Sequence, residues 1–244
     1  MLRKISVFIL FVFVAQMATS QTVEVLNKPN KRNLTTGYYF DCLHVQIDTT
    51  KLVFMATLKA TGEKNEGYIS ALYTAVKQRA NELGANCFKL SSYTCNTDSE
   101  KAVLIVNVYY ANDSILTLNE NLNAKNIIYI FSTEKWNDAL EYNFKINENV
   151  KSLHASEYCE YKLTTDETAT LFFGKNYFND EEFEYHENRE AKFVFVPYRG
   201  SKLKPEVFIF SNGIYFGVQS KRNKLSHIEN SLGWLLINIF HKTL

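Results

Sequence analysis

The chain has 244 residues, of which 27 are basic and 26 acidic, so its formal net charge is +1. This balance gives no broad attraction to a phosphate backbone, which argues against nucleic acid as a partner. Hydrophobic residues make up 46% of the chain and aromatic residues 14%, with only 9 glycines and 3 prolines, so the composition excludes a fibrous or disordered protein. The length is enough for one large or two small domains with a buried core.

Residues 1–20 have the pattern of a secretory signal peptide. Two basic residues precede an apolar run from Ile5 to Val14, which is much shorter than the roughly 20 residues that span a bilayer. Ala18 and Ser20 are small enough for the positions before a cleavage site, so we predict cleavage before Gln21. No cysteine directly follows the apolar run as a site for a lipid anchor. We therefore predict an extracytoplasmic mature chain, periplasmic or secreted, without a transmembrane span.

Residues 21–115 are predicted to form a small α+β domain with the order strand, helix, strand, strand. An apolar strand over 51–58 is followed by residues whose apolar members recur at helical spacing. Gly84 suits the end of that helix, because glycine adopts the left-handed conformation of a helix C-terminus without strain. Strands are predicted over 86–90 and 102–110, so that the one helix covers one face of the sheet. The apolar face of the helix consists of Ile69, Leu72, Tyr73, Val76, Ala80 and Leu83.

The end of this helix resembles a pattern in small bacterial envelope domains. In those domains an alanine-rich helix runs into Leu-Gly-Ala-Asn and then into a strand. The matching residues here are 71–87, with Leu83-Gly84-Ala85-Asn86 at the end of the helix. The resemblance implies an envelope-type α+β fold and carries no site residues with it.

A polar stretch over 116–123 is predicted to be a domain linker, and residues 124–222 are predicted to form an antiparallel β-sandwich. The second region consists of short apolar or alternating runs separated by turn residues, which is typical of a sandwich. Asn212-Gly213 lies between two of these runs and is a strong signal for a hairpin turn. The predicted strands cover 127–131, 140–146, 150–153, 158–163, 169–173, 193–196, 207–210 and 214–218.

This second region resembles a family of uncharacterised bacterial exported and lipoprotein domains. The matching residues are Ile128-Tyr129-Ile130-Phe131, the turn at 147–149, Leu153, Tyr158 and Tyr215-Phe216. Thr164-Thr165-Asp166-Glu167 stands where those domains usually carry a glycine-rich turn. The resemblance implies an extracytoplasmic β domain, and it implies no chemistry.

Residues 223–244 are predicted to form an amphipathic helix with Ser226 as its N-cap. Its apolar face consists of Ile228, Leu232, Leu235, Leu236, Ile239 and Phe240. This face can dock on a partner, rest on a membrane surface or pack back on the β domain, and the last alternative is preferred. Lys242 is the only basic residue from Ser226 onward, so attraction to anionic lipid is weak. Gly233 costs about 1 kcal/mol relative to alanine inside a helix, so we expect close packing there.

Four cysteines, Cys42, Cys87, Cys95 and Cys159, allow three complete disulfide pairings. Cys87 and Cys95 are the nearest pair in sequence. One extended strand between them would separate them by roughly 26 Å at about 3.3 Å per residue, which is too far for a bond. Their pairing therefore needs a bend near Ser91-Ser92, and the alternative is that some or all of the cysteines are buried free thiols. Because no Cys-x-x-Cys pair is present, zinc is not predicted.

No catalytic, cofactor-binding or metal-binding residue is predicted. Five histidines, His44, His154, His186, His227 and His241, lack the spacing of metal ligands. The acidic run over 180–190 has enough carboxylates for calcium but lacks the residue order of a calcium loop, so a solvated loop or edge hairpin is preferred. No nucleophile elbow, phosphate loop or dinucleotide motif is found. A hydrolase that uses two carboxylates from distant parts of the chain stays open.

These features predict a non-catalytic binding or structural protein of the bacterial envelope, whose partner is another protein or an envelope polymer. The first alternative is a carrier of a small apolar ligand in the β domain, and the second is a hydrolase. The carrier hypothesis rests on aromatic residues that are numerous enough to line a cavity and equally typical of a filled core. These residues are Phe172, Phe173, Phe193, Phe195, Phe208, Phe210, Tyr215 and Phe216.

Overall fold

The computed structural model describes residues 21–29, 39–63, 69–96, 101–132, 141–173, 179–196, 208–210, 213–215 and 225–243. The predicted signal peptide lies outside the described residues. The described part consists mainly of strands in several sheets, with few helices, which agrees with the predicted α+β class. None of its helices has the length and apolar character needed to cross a membrane.

The N-terminal half forms a five-stranded sheet in the order β1-β3-β5-β4-β2. Its strands are β1 (Thr22–Asn27), β2 (Asp41–Cys42), β3 (Val53–Glu63), β4 (Cys87–Asn96) and β5 (Lys101–Tyr110). Neighbours pair antiparallel except β2, which lies parallel to β4. Helix α1 (Ile69–Glu82) packs on this sheet with its predicted apolar face buried. The predicted strand, helix, strand, strand unit is therefore present, and β1 and β2 add one strand at each edge.

Helix α1 ends at Gly84 as predicted. Gly84 has a φ of 83°, in the left-handed region that favours glycine. Its backbone N–H donates to the carbonyl of Asn81 at 3.0 Å, and the N–H of Ala85 donates to the carbonyl of Ala80 at 3.0 Å. This pair of hydrogen bonds is a Schellman motif, which satisfies carbonyls that the helix end would leave without partners.

The segment predicted as a linker forms most of a second helix, α2 (Asp113–Leu122). The side chain of Asn112 accepts a hydrogen bond from the backbone N–H of Ile115 at 3.1 Å and so caps the helix. Ile115 and Leu122 pack against a small core cluster formed by the nearby ends of β2, β4 and β5. Most of the predicted linker over 116–123 is therefore helical, because a capping residue and tertiary packing stabilise a helix there.

The C-terminal half contains a four-stranded antiparallel sheet in the order β11-β10-β7-β8 and a five-stranded sheet in the order β15-β12-β6-β9-β16, in which the edge strands are β15 (Ser226–His227) and β16 (His241–Lys242). Their longer strands are β6 (Ile127–Phe131), β7 (Glu141–Ile146), β8 (Asn149–His154), β9 (Glu157–Lys162), β10 (Thr168–Phe173), β11 (Asn179–Glu184) and β12 (Lys192–Phe195). The five-stranded sheet is mixed, since β12 runs parallel to β6. The prediction of purely antiparallel sheets was therefore wrong for this sheet. A separate hairpin pairs β13 (Phe208–Phe210) with β14 (Gly213–Tyr215), and Asn212 of the predicted Asn-Gly turn lies outside the described residues.

These two sheets share one buried core cluster. Ile128 and Ile130 of β6 and Val194 of β12 belong to the same cluster as Phe144 of β7 and Leu171 of β10. Alternate residues of each strand point to this cluster, which is the pattern of two sheets packed face to face. The arrangement is compatible with the predicted sandwich.

The C-terminal segment contains a helix that is shorter than predicted. Residues 226–227 form β15 (Ser226–His227), the helix α3 covers Asn230–Ile237, and β16 (His241–Lys242) follows. β15 pairs with β12 at one edge of the five-stranded sheet and β16 pairs with β9 at the other edge. The prediction of a continuous helix over 223–244 was wrong because the ends of the segment donate their backbone hydrogen bonds to the sheet. Ser226 lies in a strand, and Glu229 occupies the N-cap position instead.

Helix α3 packs between the two halves of the molecule. Leu235 and Leu236 lie in one core cluster with Leu72 of α1 and with Phe131 and Phe193 of the five-stranded sheet. A Cβ built on Gly233 would overlap the ring of Phe193, so the expected close packing at this glycine is present. The preferred alternative, in which the C-terminal segment packs back on the β domain, agrees with this contact, and the helix touches the N-terminal half as well.

Cys42 and Cys87 lie on the paired strands β2 and β4, whereas Cys95 lies near the other end of β4. β4 is continuous from Cys87 to Asn96, with Cys87 opposite Tyr109 and Cys95 opposite Ala102. The predicted distance argument against a Cys87–Cys95 disulfide therefore holds. Cys42, Cys87 and Cys159 carry free thiols, the first two of them buried.

Candidate functional site

A cleft of about 530 Å³ lies where the two halves of the molecule meet. Its walls come from the region of β2, from α2, from the residues before and within β12, and from α3. Sites for small molecules usually have volumes of a few hundred cubic ångströms and often lie at such junctions. The cleft is therefore the candidate functional site.

Three carboxylates from distant parts of the chain line this cleft. Asp41 lies on β2, Glu120 on α2, and Glu190 just before β12. The pKa of Asp41 is raised above its ordinary value, mainly because burial disfavours the charged form. The Oγ of Ser231 donates a hydrogen bond to Oδ1 of Asp41 at 3.4 Å, which opposes the rise, whereas the charges of Glu120 and Glu190 add to it. Asp41 is thus a carboxyl group that holds a proton more readily than an exposed aspartate does.

The other carboxylates have partners within the cleft. The Nζ of Lys125 lies 3.7 Å from Oε1 of Glu120, and the side-chain amide of Asn230 donates to the carboxylate of Glu190. Asp113 is a fourth acidic residue in the lining, and Lys125 is its only lysine or arginine among the described residues. The cleft is therefore electronegative, which disfavours anionic ligands and favours neutral or cationic ones.

Aromatic side chains form another part of the wall. Tyr39 is 70% exposed at the cleft. Trp234 of α3 also lines it and meets the rings of Phe193 and Tyr129 edge-on, with centroids 5.1 and 5.6 Å away. Because Phe193 is itself stacked on Tyr129 at 5.2 Å, the indole of Trp234 is held in a fixed orientation.

Two buried asparagines hold the walls in place. The side chain of Asn119 donates to the carbonyl of Cys42 at 3.1 Å and accepts from the N–H of His44 at 2.7 Å, so it ties α2 to the end of β2. The side chain of Asn86 exchanges two hydrogen bonds with the backbone of Ala111, at 2.7 and 2.8 Å. These contacts fix the start of α2 against the sheet. The cleft is therefore built on a supported backbone rather than on loops alone.

The residue types considered from the sequence lie largely elsewhere. None of the five histidines lines the cleft. The Nε2 of His186 lies 3.6 Å from Oε2 of Glu184, and the Nε2 of His227 lies 2.7 Å from Oε1 of Glu181. Both pairs are at the surface near the edge strand β11. Among the described residues no group of three or more possible metal ligands occurs. The acidic run forms β11 and the turn after it, which agrees with the preferred edge hairpin, and only Glu190 at its end reaches the cleft.

The thiols and the aromatic core residues carry structural roles. Burial raises the pKa of Cys42 and Cys87 to about 12 and that of Cys159 to about 11, so these thiols are poor nucleophiles at neutral pH. Phe173 lies in a packed core cluster, which favours the filled-core interpretation at that position. Phe193 also belongs to a core cluster, but it borders the cleft as well. Of the other aromatic residues in the carrier hypothesis, Phe216 and the side chains of Phe208, Phe210 and Tyr215 lie outside the described part.

Comparison with known proteins finds no matching family model, no matching curated protein and no matching solved structure. The resemblances noted in the sequence, to bacterial envelope domains and to exported β domains, therefore stay predictions.

Proposed function

We propose that this protein is a non-catalytic binding protein of the bacterial envelope and that its ligand binds in the cleft between α2, β2 and α3. The observation that carries the proposal is the cleft itself, which combines a volume of about 530 Å³ with aromatic and polar lining residues. The extracytoplasmic location rests on the signal-peptide pattern of residues 1–20. The division into an α+β domain over 21–115 and a sandwich over 124–222 stays a prediction.

The support behind the cleft favours binding by a preformed surface. The hydrogen bonds of Asn119 and Asn86 hold one wall, and the fixed indole of Trp234 contributes to the other. A preformed site loses little conformational entropy when a ligand binds, so modest contacts suffice for affinity. The C-terminal segment brings α3 to the cleft, so the site depends on the association of both halves.

A thermal-shift screen of the purified mature chain tests this proposal. The probes are small molecules grouped into neutral saccharides, amines, nucleotides, dicarboxylates and short peptides. We expect at least one class to raise the Tm of the wild type and to leave the Tm of Tyr39→Ala unchanged, because Tyr39 lines the cleft and its exposed ring contributes little to folding.

Val150→Ala serves as the matched control, since Val150 is 59% exposed on the edge strand β8, away from the cleft. A ligand that stabilises the wild type, Tyr39→Ala and Val150→Ala equally would place the binding site elsewhere. The lack of any stabilising class would contradict a binding function in this cleft.

The second candidate function is hydrolysis, and the environment of Asp41 favours it over other catalytic roles. A carboxyl group with a raised pKa beside other carboxylates is the arrangement that glycoside hydrolases use for a general acid and its partner. If the protein is a hydrolase, Asp41→Asn abolishes turnover of a chromogenic glycoside while leaving its binding intact. Binding without turnover by the wild type would support the binding protein and exclude the hydrolase for that substrate.

A further inference from the structure

We propose that the ligand of this cleft is a saccharide chain built from uncharged sugars. This inference rests on the proposed function, because it names the chemical class that the same cleft accepts. It is carried by three properties of the cleft together: aromatic rings at its wall, a mixture of hydrogen-bond donors and acceptors, and an electronegative lining.

The aromatic rings match the apolar faces of sugar rings. A pyranose presents a patch of C–H groups on one side, and such a patch packs against the face of an aromatic ring. Tyr39 leaves most of its ring open to solvent at the cleft, and Trp234 is held there by Phe193 and Tyr129. An exposed aromatic ring buries little apolar surface when the chain folds, and it buries that surface when a ligand covers it.

The polar lining matches the hydroxyl groups of sugars. Every hydroxyl is both a donor and an acceptor, so a saccharide needs partners of both kinds. The carboxylates of Asp41 and Glu190 supply acceptors, and the side-chain amides of Asn123 and Asn230 supply donors as well as acceptors. Hydrogen bonds from hydroxyls to a carboxylate are charge-assisted and therefore stronger than neutral ones.

The charge of the lining decides between classes of saccharide. The described lining contains four acidic residues and one lysine, Lys125. This excess of negative charge repels uronic acids, phosphorylated sugars and sulfated sugars. Lys125 neutralises the charge of Glu120, and the amide of Asn230 donates a hydrogen bond to Glu190, so both carboxylates already have partners within the protein. The lining does not therefore require a cationic ligand, and an uncharged chain is the class that meets all three properties.

The test uses the full mature chain on an array of immobilised glycans of neutral, acidic and amino-sugar classes, followed by titration calorimetry of the best binder. We expect binding to neutral oligosaccharides and at least tenfold weaker binding to galacturonate oligomers. Tyr39→Ala should weaken the neutral binder at least tenfold, and Val150→Ala should leave its Kd within twofold of the wild type. Glu190→Gln should reduce the discrimination against galacturonate, because it removes one of the repelling charges.

The fluorescence of Trp234 gives a second readout. The chain has two tryptophans, and Trp136→Phe leaves Trp234 as the only one. A saccharide that stacks in the cleft should shift or quench this emission in proportion to occupancy, with the same Kd as the calorimetry. Binding without any change in emission would place the sugar away from Trp234 and contradict the proposal.

The outcomes separate this inference from the proposed function. Tighter binding of glucosamine oligomers than of neutral ones, or equal binding of galacturonate, would overturn the uncharged-sugar inference. A cleft ligand from a non-saccharide class in the thermal-shift screen, with no glycan bound on the array, would overturn it as well and leave the binding function standing. No ligand from any class would overturn both.

Discussion

Asp41 is a carboxyl group of the cleft whose protonation depends on its surroundings. Burial and the neighbouring carboxylates Glu120 and Glu190 raise its pKa above the ordinary value of 3.8. The folded state therefore binds this proton more tightly than the unfolded state does. Protonation of Asp41 therefore stabilises the folded state fully at a pH below the ordinary pKa, and this stabilisation is lost as the pH rises through the pKa of Asp41 in the folded state. At neutral pH the ionised carboxylate lowers the free energy of unfolding.

Asp41→Asn should therefore be at least as stable as the wild type at pH 7, because the amide removes the buried charge and keeps an oxygen that can accept from Ser231. The advantage of the variant should shrink as the pH falls toward 4. Urea denaturation from pH 4 to pH 8 measures both trends. A variant less stable than the wild type at pH 7 would mean that the Asp41 charge has a stabilising partner.

Asn119 is a second residue whose environment decides the local structure. Its side chain is 3% exposed and pairs with the backbone of both Cys42 and His44. Asn119→Ala leaves a buried carbonyl and a partly buried N–H without these partners, which costs about 2–3 kcal/mol. Asn121→Ala on the exposed face of α2 is the matched control and should change the free energy of unfolding by less than about 0.5 kcal/mol. Urea denaturation measures both changes. An equal loss in the free energy of unfolding for the two variants would contradict the role given to Asn119.

At the scale of elements, α2 and α3 show why helices were harder to predict than strands. The buried face of α2 contains Ile115, Asn119 and Leu122, so a polar residue interrupts the apolar period in its middle. The asparagine is acceptable there only because β2 supplies its backbone partners. In the C-terminal segment the apolar period extends beyond the helix, since Ile228 and Phe240 are partly or fully buried on either side of it. The N–H of Ile228 donates to Phe193 and that of His241 to Ser156, both at 2.9 Å, so these ends pair with the sheet.

The contact between α3 and β12 leads to a prediction for Gly233. Gly233→Ala gains helix propensity of about 1 kcal/mol but forces a methyl group into the ring of Phe193. Phe193 is 2% exposed and stacked on Tyr129, so it has little room to move, and overpacking of this kind costs about 1–3 kcal/mol. We expect a net loss of stability in thermal denaturation. The loss should be smaller in a Phe193→Leu background, and an additive double mutant would argue against the overlap.

At the scale of the whole molecule, Glu229 connects the C-terminal segment to the N-terminal half. Its carboxylate accepts a hydrogen bond from the hydroxyl of Tyr73, and its Oε2 lies 2.9 Å from the Nζ of Lys77, both on α1. Tyr73 is 2% exposed. Its burial is the main cause that raises the pKa of its hydroxyl well above the ordinary value, and the charge of Glu229 is the second cause. The hydroxyl therefore stays protonated and acts as a donor across the junction.

Glu229→Ala should lower the free energy of unfolding by about 1–3 kcal/mol, because the buried hydroxyl of Tyr73 loses this acceptor. Glu229→Gln keeps an acceptor and loses only a partly exposed ion pair, so its loss should stay below about 1 kcal/mol. Tyr73→Phe combined with Glu229→Ala should be more stable than the sum of the single changes predicts. A double-mutant cycle by urea denaturation measures this coupling, and a value near zero would show that the contact does not hold the halves together.

The cleft belongs to the same scale, and no local pattern could have revealed it. Asp41, Glu120 and Glu190 are separated by about 70 or more residues along the chain, and each has ordinary neighbours in sequence. The acidic run over 180–190 contains many carboxylates, but only its last member, Glu190, lines the cleft. Spacing arguments detect sites within one helix or loop, whereas this site depends on three elements meeting.

What the sequence determined by itself is the local structure that short-range physics controls. The period of 3.6 residues and Gly84 specified α1 and its end, and alternating apolar residues specified most of the longer strands. Tertiary structure decided the rest: that 113–122 is a helix, that β12 pairs parallel with β6, and that the C-terminal segment crosses the sheet to pack on both halves. The physical reason is that burial and backbone pairing between distant segments contribute more than local propensity does where the local signal is weak.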